Sequence, residues 1–371
     1  MAKRGFAGIS AALLAALSGL VQPAAADITV GLVAPITGDN APTGAQLQNG
    51  AEAAVAEINA HGGVLGEKLA LAIEDDGCNA RRAVSMANRL VGENIGFIVG
   101  PWCSAVDVPA SSIFADAGTI EISLAANDRI TEQGFDGLFR INGRNDQQSG
   151  LLAGFIAKHH AGKRVALVAD RSAYATGLMA GLRAALKAQG AVTVVLDQSI
   201  DAGTKDFSPL ISSFKNNAVD VVTYVGFPTE ASLIMIQINA AGLKLPFVSA
   251  NTLTNHQVWD IAGKSAIGTA FTCQTAADLL PAAQDAVAAL KAKGKKADGY
   301  TLYAYAGVQL VAEALIRAKT THADAVADAL QKGGIPTVLG TVSFDDKGDI
   351  AQPIWRVCRW NEGGYAYYPG E

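Results

Sequence analysis

Short apolar runs rich in Val, Ile and Leu alternate with stretches of helical periodicity along most of the chain. The first apolar run, Ile28 to Val33, suits a strand buried on both faces of a sheet, and a polar loop from Thr37 to Thr43 follows it. Apolar residues then recur at helical spacing from Leu47 to Ile58, until Gly62-Gly63 ends the helix. The pattern predicts a strand, a loop and a helix, the repeating unit of a parallel sheet.

The same alternation repeats in two series, one reaching about residue 124 and the other starting after residue 145. Further strands are predicted at Leu69 to Glu74, Gly96 to Gly100, Thr119 to Leu124, Arg164 to Ala169, Val192 to Leu196, Val219 to Val225 and Pro246 to Ser249. Helical periodicity lies between them. The chain is therefore predicted to be an α/β protein with doubly wound parallel sheets, whose ligands bind in loops beyond the carboxyl ends of the strands.

The N-terminus has the pattern of a signal peptide over residues 1–26. Lys3 and Arg4 precede an apolar run from Ile9 to Leu20, and the small residues Ala24 to Ala26 come next. The apolar run is shorter than a membrane span, and no lipid-attachment cysteine lies near Ala26. We expect a freely diffusing periplasmic protein.

Length and charge limit the architecture and the partners. Residues 27–371 exceed the length that one hydrophobic core usually serves, so two domains are expected. The net charge is −5 and Lys and Arg residues form no cluster, which argues against nucleic acid and acidic membranes as partners.

Four cysteines in an exported chain favour disulfides over metal ligands. Cys78, Cys103, Cys273 and Cys358 have no C-x-x-C spacing, so no metal site is predicted. They allow three pairings. Two disulfides, or one disulfide with two buried thiols, both remain possible at this point.

The sequence carries no catalytic motif that we can identify. It has no phosphate-binding G-x-x-x-x-G-K-[ST], no G-x-S-x-G and no H-E-x-x-H. His159-His160 suits the end of a helix, and Asp75-Asp76 suits a loop that caps a helix. We therefore expect no enzyme activity, no catalytic residues and no cofactor.

Six fragments in series resemble the leucine/isoleucine/valine-binding proteins of bacterial ABC transporters, and together they cover essentially the whole mature chain. They are Gly50 to Glu52 with Ala56 to Gly63, Asp75 to Cys78, Gly100 to Ser104, Asp170 to Tyr174 with Gly177, Lys205 to Phe207, and Phe344 to Asp349.

The resemblance implies a type I periplasmic-binding fold, with two doubly wound parallel-sheet lobes joined by three hinge crossovers near residues 144, 273 and 350. Lobe 1 would contain residues 27–144 and 274–350, and lobe 2 residues 145–273 and 351–371. The family also implies a Cys78–Cys103 disulfide, worth about 3 kcal/mol on the loop-entropy model. It implies no pairing for Cys273 and Cys358.

The resemblance further implies a ligand site between the lobes. Ser104 would hold a ligand carboxylate, helped by the backbone of Ala125 and by Asn127, which stands at a threonine position of the family. Thr43 and Phe227 replace tyrosines of the family, Tyr174 retains one, and Asn251 replaces the acidic residue that accepts hydrogen bonds from the ligand ammonium. Trp102 either forms an aromatic wall with Tyr174 or packs beneath the disulfide loop.

The predicted site suits a carboxylate better than an ammonium group. Hydroxyl and N–H donors at Ser104 and in the loop Ala125 to Asn127 can hold a carboxylate. A buried ammonium needs acceptors, and Asn251 and Phe227 weaken that set, unless Asp128 and Glu230 replace them. We expect a small carboxylate or amide-bearing solute.

These features predict the periplasmic substrate-binding protein of an ABC transporter, a monomer that captures a small organic solute between its lobes and delivers it to membrane permease subunits. The solute is expected to be an amino acid or a related carboxylate or amide. The alternatives are a ligand-sensing module for a signalling partner, and a binding protein for aromatic acids, urea or short amides. An enzyme is the least favoured hypothesis, since the sequence lacks the catalytic motifs named above.

Overall fold

The computed structural model describes residues 27–371 together with Met1, so the predicted signal peptide lies outside the described residues except for its first. Across this described part of the chain, no helix is both long enough and apolar enough to cross a membrane. Its strands form a five-stranded sheet, a seven-stranded sheet and a two-stranded sheet.

The first part of the chain builds the five-stranded sheet. Its strands are β1 (Ile28–Ala34), β2 (Leu69–Asp75), β3 (Phe97–Val99), β4 (Ile120–Ser123) and β5 (Leu138–Arg140). The helices between them are α1 (Ala41–Ala60), α2 (Ala80–Gly92) and α3 (Ser104–Asp116). The strands are all parallel in the order β2-β1-β3-β4-β5. The apolar β1 lies between β2 and β3 and is almost wholly buried, as its composition predicts.

The second part builds most of the seven-stranded sheet. It contains α4 (Asn145–His159), β6 (Arg164–Asp170), α5 (Ala173–Gln189), β7 (Thr193–Ile200), α6 (Ser208–Asn216), β8 (Val221–Val225), α7 (Pro228–Ala240), β9 (Phe247–Ser249), α8 (Gln257–Ala262) and β10 (Ala270–Gln274). These five strands are parallel. β7 lies at the sheet edge, where its polar residues are exposed.

The chain then returns to the first sheet and crosses once more to the second. The returning segment contains α9 (Gln284–Ala292), α10 (Thr301–Ala318), α11 (Ala323–Gln331) and the small hairpin β11 (Ile335–Thr337) and β12 (Gly340–Val342). The last segment contains β13 (Trp355–Asn361) and β14 (Gly364–Tyr367). The full order of the second sheet is β14-β13-β10-β9-β8-β6-β7.

The predicted pair of doubly wound α/β units is confirmed, with one difference. β13 pairs antiparallel with β10, and β14 pairs antiparallel with β13, so the second sheet has an antiparallel edge. The alternation of strands and helices does not predict this edge, because it comes from a hairpin that joins the sheet last. We call each sheet with its packed helices a lobe.

Both pairs of cysteines are bridged. Cys78 is joined to Cys103, as the family resemblance implied, with their Cα atoms 5.3 Å apart. Cys273 on β10 is joined to Cys358 on the neighbouring β13, with their Cα atoms 5.8 Å apart. The second bridge ties two segments that approach the crossings between the lobes, and it resolves the pairing that the sequence left open.

A buried ion pair joins the end of β5 to Asp349, which lies between β12 and β13. The Arg140 side chain is fully buried and its Nε donates to Asp349 Oδ1 over 2.6 Å. Its other nitrogens donate to the carbonyl oxygen of Asn127 (2.7 Å) and to Thr131 Oγ1 (2.6 Å). Arg144 Nη1 also donates to Asp349, over 3.0 Å. All of these groups have charged or polar partners, as a buried charge requires.

A buried pair of carboxyl groups lies under the loop that follows β4. Ser111 and Ser123 donate hydrogen bonds to Asp107 on α3, at 2.8 and 2.6 Å. Burial, and secondarily the negative charge of Asp107, raises the pKa of Glu121 well above its ordinary value. Glu121 is therefore held as a neutral acid beside Asp107.

Glu121→Gln should stabilise the protein more at pH 8 than at pH 5. Because the pKa of Glu121 is higher in the folded than in the unfolded protein, the folded state binds more protons between these two pKa values. Its free energy of unfolding therefore falls as the pH rises through the folded pKa. Glutamine cannot ionise, so the variant does not lose this part of its free energy of unfolding as the pH rises.

Urea unfolding of both proteins at pH 5 and pH 8 measures the difference. The exposed Glu93→Gln, at the end of α2, is the matched control and should show no such dependence. If the free energies of unfolding of Glu121→Gln and the parent differed by the same amount at both pH values, Glu121 would not be a buried neutral acid.

Candidate functional site

A cavity lies between the lobes, at the carboxyl ends of the parallel strands. Its volume is about 20 Å³, well below the roughly 300–1,000 Å³ of small-molecule sites. Its lining residues come from both lobes: Trp102, Cys103, Ser104, Ala126, Tyr174, Phe227, Asn251, Thr252 and Tyr300. Five of them, Trp102, Ser104, Tyr174, Phe227 and Asn251, are residues that the sequence predicts for the site.

Ser104 is the first residue of α3 and supplies the polar end of the cavity. Val106 and Asp107 donate their backbone N–H groups to the Cys103 carbonyl, which leaves the amides that start the helix directed toward its N-terminal end. The Ser104 side chain is 3% exposed. A hydroxyl, free amides and the positive end of the helix dipole together form a site for an anion.

Four aromatic rings form the apolar part of the cavity. The Trp102 ring centroid lies 5.7 Å from Phe227 and 5.4 Å from Tyr300, and Tyr174 lies 6.2 Å from Phe227. These rings come from both lobes. Trp102 lines the cavity and also packs in the same apolar cluster as Cys103 of the disulfide.

Asn251 has protein partners for both ends of its amide. Its Oδ1 accepts from Gln148 Nε2 (2.7 Å) and from the Tyr174 hydroxyl (2.9 Å), and its Nδ2 donates to the Tyr300 hydroxyl. The acceptor capacity of Asn251 is therefore used by its neighbours, so it has little to offer a ligand ammonium.

Tyr300 lines the cavity although the sequence did not indicate it. It lies in the returning segment, directly before α10, and its backbone N–H donates to Gln46 Oε1 over 3.2 Å. Gly50 allows this close packing of α1 and α10, because a Cβ at Gly50 would lie 1.9 Å from the Thr301 carbonyl oxygen. The only signal in the sequence is an aromatic residue between Gly299 and a helix.

The three other predicted residues lie around the cavity but do not line it. Thr43 accepts a hydrogen bond from Asn255 Nδ2 over 2.9 Å, and Asn127 Nδ2 donates to the Ala173 carbonyl over 2.9 Å. Each of these bonds joins the two lobes. Ala125 is buried with Ile130 and Leu138, and its neighbour Ala126 is the one that faces the cavity.

No aspartate or glutamate stands among the described residues that line the cavity. Asp128 accepts from the Asp146 backbone N–H over 3.1 Å and lies 3.8 Å from Arg144. Glu230 accepts from the Gly203 backbone N–H over 2.8 Å. Asp170 is buried behind the second-lobe loop, where burial raises its pKa. Neither proposed substitute for the missing acid therefore faces the ligand space.

One group of side chains near the cavity has the residue types of a metal site, but these side chains are not in a form that binds a metal. Asp76, Cys78 and Cys103 lie close together. The two sulfurs are bonded to each other, so they are not thiolates, and thiolate is the form that binds a metal. Burial raises the pKa of Asp76 to about 7, which further weakens it as a ligand.

The cavity therefore combines an anion-binding helix terminus with aromatic walls and lacks an anionic group. This arrangement can hold a carboxylate at Ser104 and an apolar or ring-shaped body against Trp102, Tyr174, Phe227 and Tyr300. It offers no ionised partner to a buried ammonium.

The chain is similar to several binding proteins. Residues 27–365 match the model of a periplasmic binding protein family. The Leu/Ile/Val-binding protein homolog 3 of Brucella melitensis biotype 1 is 37% identical over 358 residues, which cover 96% of this chain and 97% of that protein. The Leu/Ile/Val-binding protein BraC3 of Rhizobium johnstonii is 38% identical over 358 residues, with the same coverage of 96% and 97%.

A solved structure extends the similarity to the fold. The branched-chain amino acid transporter substrate-binding protein LivJ of Streptococcus pneumoniae, in complex with isoleucine, superimposes with a TM-score of 0.84. It is 26% identical, and the alignment covers 92% of this chain and 98% of that one. The predicted type I periplasmic-binding fold is confirmed.

The family consists of binding proteins that take up small molecules outside the cytoplasm and work with ABC-transporter permeases. The family model spans nearly all of the described residues, and relatives above 35% identity match over almost the full length. The chain thus belongs to the periplasmic binding protein family.

Proposed function

We propose that this protein is the periplasmic substrate-binding protein of an ABC transporter and that it captures a small organic carboxylate lacking an ammonium group. The proposal rests on the composition of the cavity. Ser104 lies at the start of α3, four aromatic rings form the apolar part, and the described residues of the lining include no acidic one. Relatives named for leucine, isoleucine and valine support the transport role.

The cavity polarity separates two classes of solute. A branched-chain amino acid carries a carboxylate and an ammonium, and the ammonium loses its hydration when the lobes close around it. An uncompensated buried charge costs several kcal/mol. The acid that lacks the amine avoids this cost and keeps both the carboxylate contacts and the apolar contacts. The aromatic walls favour a branched or ring-shaped body over an extended one.

Three further features belong to the proposal. The lobes comprise residues 27–144 with 274–350 and residues 145–273 with 351–371, a division that the distribution of strands between the two sheets supports. Residues 1–26 form a cleaved signal peptide that exports the chain to the periplasm. The protein acts as a monomer, binds no nucleic acid and catalyses no reaction, and it hands its solute to membrane permease subunits.

The eight predicted residues have two kinds of role in this proposal. Five contact the solute from the cavity lining: Trp102, Ser104, Tyr174, Phe227 and Asn251. Thr43 and Asn127 hold the two lobes together beside the solute through hydrogen bonds between the lobes. Ala125 fixes the loop beside Ala126, since its backbone N–H donates to Ser123 Oγ over 3.3 Å.

A panel of matched acids tests the proposed solute class. The pairs are leucine with 4-methylpentanoate, and phenylalanine with 3-phenylpropanoate; the members of each pair differ only by the amine. Isothermal titration should show at least tenfold tighter binding of the deaminated acid in one or both pairs. 4-Methylpentanamide and urea should bind weakly, because they lack the charge that the helix terminus favours. Tight binding of leucine with no binding of either deaminated acid would contradict the proposed class, although not the transport role.

Ser104→Ala should weaken binding of the best acid by roughly 1.5–3 kcal/mol, on the order of 10- to 100-fold in Kd, because a hydrogen bond to a charged group is lost. Ser112→Ala is the matched control, since Ser112 lies on the same helix and donates to the Pro109 carbonyl over 3.2 Å. Titration of both variants with the same acid measures the effect. An unchanged affinity in Ser104→Ala would place the carboxylate elsewhere.

A further inference from the structure

A second pocket lies beside the crossings between the lobes and shares no lining residue with the ligand cavity. Its volume is about 400 Å³, and it opens to solvent. One wall is formed by the loop after β10 and the segment before α10, and the opposite wall is formed by β13 and β14. We call it the hinge pocket and define it by Asp278, Asp298, Tyr303, Trp360, Tyr365 and Tyr367.

Aromatic side chains from both lobes cover its inner surface. Trp360 is fully buried at its base, with its ring centroid 5.4 Å from that of Tyr365. Tyr303, on α10, is 3% exposed, and its hydroxyl has no hydrogen-bond partner among residues 27–371 although it lines the pocket. The Tyr367 hydroxyl accepts from the Ala276 backbone N–H over 2.7 Å. Flat rings, with a Tyr303 hydroxyl that has no hydrogen-bond partner among residues 27–371, form a wall suited to an organic ligand.

Two carboxylates face the same space without a cation. Neither Asp278 nor Asp298 pairs with another side chain in the described part of the chain. Both are close enough to Tyr365 for their charges, together with burial, to raise its pKa. Burial also raises the pKa of Asp298 itself, as expected for a half-buried carboxyl with no strong partner.

Burial raises the pKa of Asp298, while the nearby charges of Lys296 and His256 lower it; neither of these two residues forms an ion pair with Asp298 in the described part of the chain. His256 lines the pocket but its Nδ1 is 3.1 Å from Asp260 Oδ1. Lys296 is exposed and forms no salt bridge within residues 27–371. A positive group that entered the pocket would therefore meet two carboxylates and several electron-rich ring faces, and both attract cations.

We propose that the hinge pocket binds a small organic cation, a protonated amine with a flat apolar body. Its ammonium lies near Asp278 and Asp298 and its body lies against Tyr303, Tyr365 and Trp360. The site is opposite in charge preference to the ligand cavity, where an anion binds at Ser104. Because its walls come from both lobes, the bound cation contacts both sides of the crossings. The proposal does not depend on the solute of the main cavity.

Titration of the mature protein with benzylammonium tests the proposal. Its neutral isostere benzyl alcohol and the anion benzoate are the comparison ligands, since the three share one ring and differ in charge. We expect benzylammonium to bind with a Kd below about 1 mM, and benzyl alcohol to bind at least tenfold more weakly. Equal binding of the charged and neutral ligands would overturn the proposal.

Substitution of the two carboxylates locates the site. Asp278→Asn with Asp298→Asn should weaken benzylammonium binding at least tenfold, while the Tm shows that the double variant remains folded. Glu362→Gln, an exposed carboxylate in the turn between β13 and β14 that does not line the pocket, is the matched control and should bind as the parent does. If the double variant does not fold, Tyr303→Phe offers a second measurement, with an expected loss of a few-fold. Unchanged benzylammonium binding in the folded double variant, or in Tyr303→Phe when the double variant cannot be used, would overturn the assignment.

Discussion

The buried ion pair between Arg140 and Asp349 holds together the parts of the chain on which the ligand cavity depends. Arg140 is the last residue of β5 and Asp349 lies between β12 and β13, and they are separated by 209 positions in sequence. Arg140 also donates to the Asn127 carbonyl, in the loop that lies between the lobes. A single fully buried guanidinium thereby joins β5, the segment that contains Asp349 and the loop that contains Asn127. A charge at this depth is tolerated only because each of its donors has a partner, so removal of Asp349 would leave a cation unpaired in the core.

The charge preference and shape of the cavity depend on the residues that face it and on the residues packed behind them. Ser104 and the N-terminus of α3 face the ligand space, while Asp107 on the same helix is buried one turn away and hydrogen-bonded to two serines. Glu121 beside it is held neutral, which limits the negative charge near the anion site. On the opposite side, Asn251 is bonded to Gln148, Tyr174 and Tyr300. These contacts keep the asparagine in place and leave the apolar rings to define the shape.

Much of the fold follows from local sequence pattern, whereas the long-range pairings do not. The apolar strands and periodic helices of residues 28–249 predict the two parallel sheets, because period and burial are local properties. The antiparallel hairpin β13 and β14, the Cys273–Cys358 bridge and the Arg140–Asp349 pair each join segments far apart in sequence, and no periodicity encodes such a contact. Among the site residues, Ser104 and Asn251 follow from motif position. Tyr300 does not, because it reaches the cavity only through the close packing of α1 and α10 that Gly50 permits.

The central claim is that an anionic solute without an ammonium binds at the start of α3, and a crystal structure of the protein with the solute that co-purifies with it tests this most directly. We expect a carboxylate oxygen of the solute within hydrogen-bond distance of the Ser104 hydroxyl, with the rest of the solute between Trp102, Phe227 and Tyr300. Mass spectrometry of the same solute should show an acid that lacks an amine. A free amino acid whose ammonium contacts a carboxylate side chain, or a solute whose carboxylate lies away from Ser104, would contradict the account.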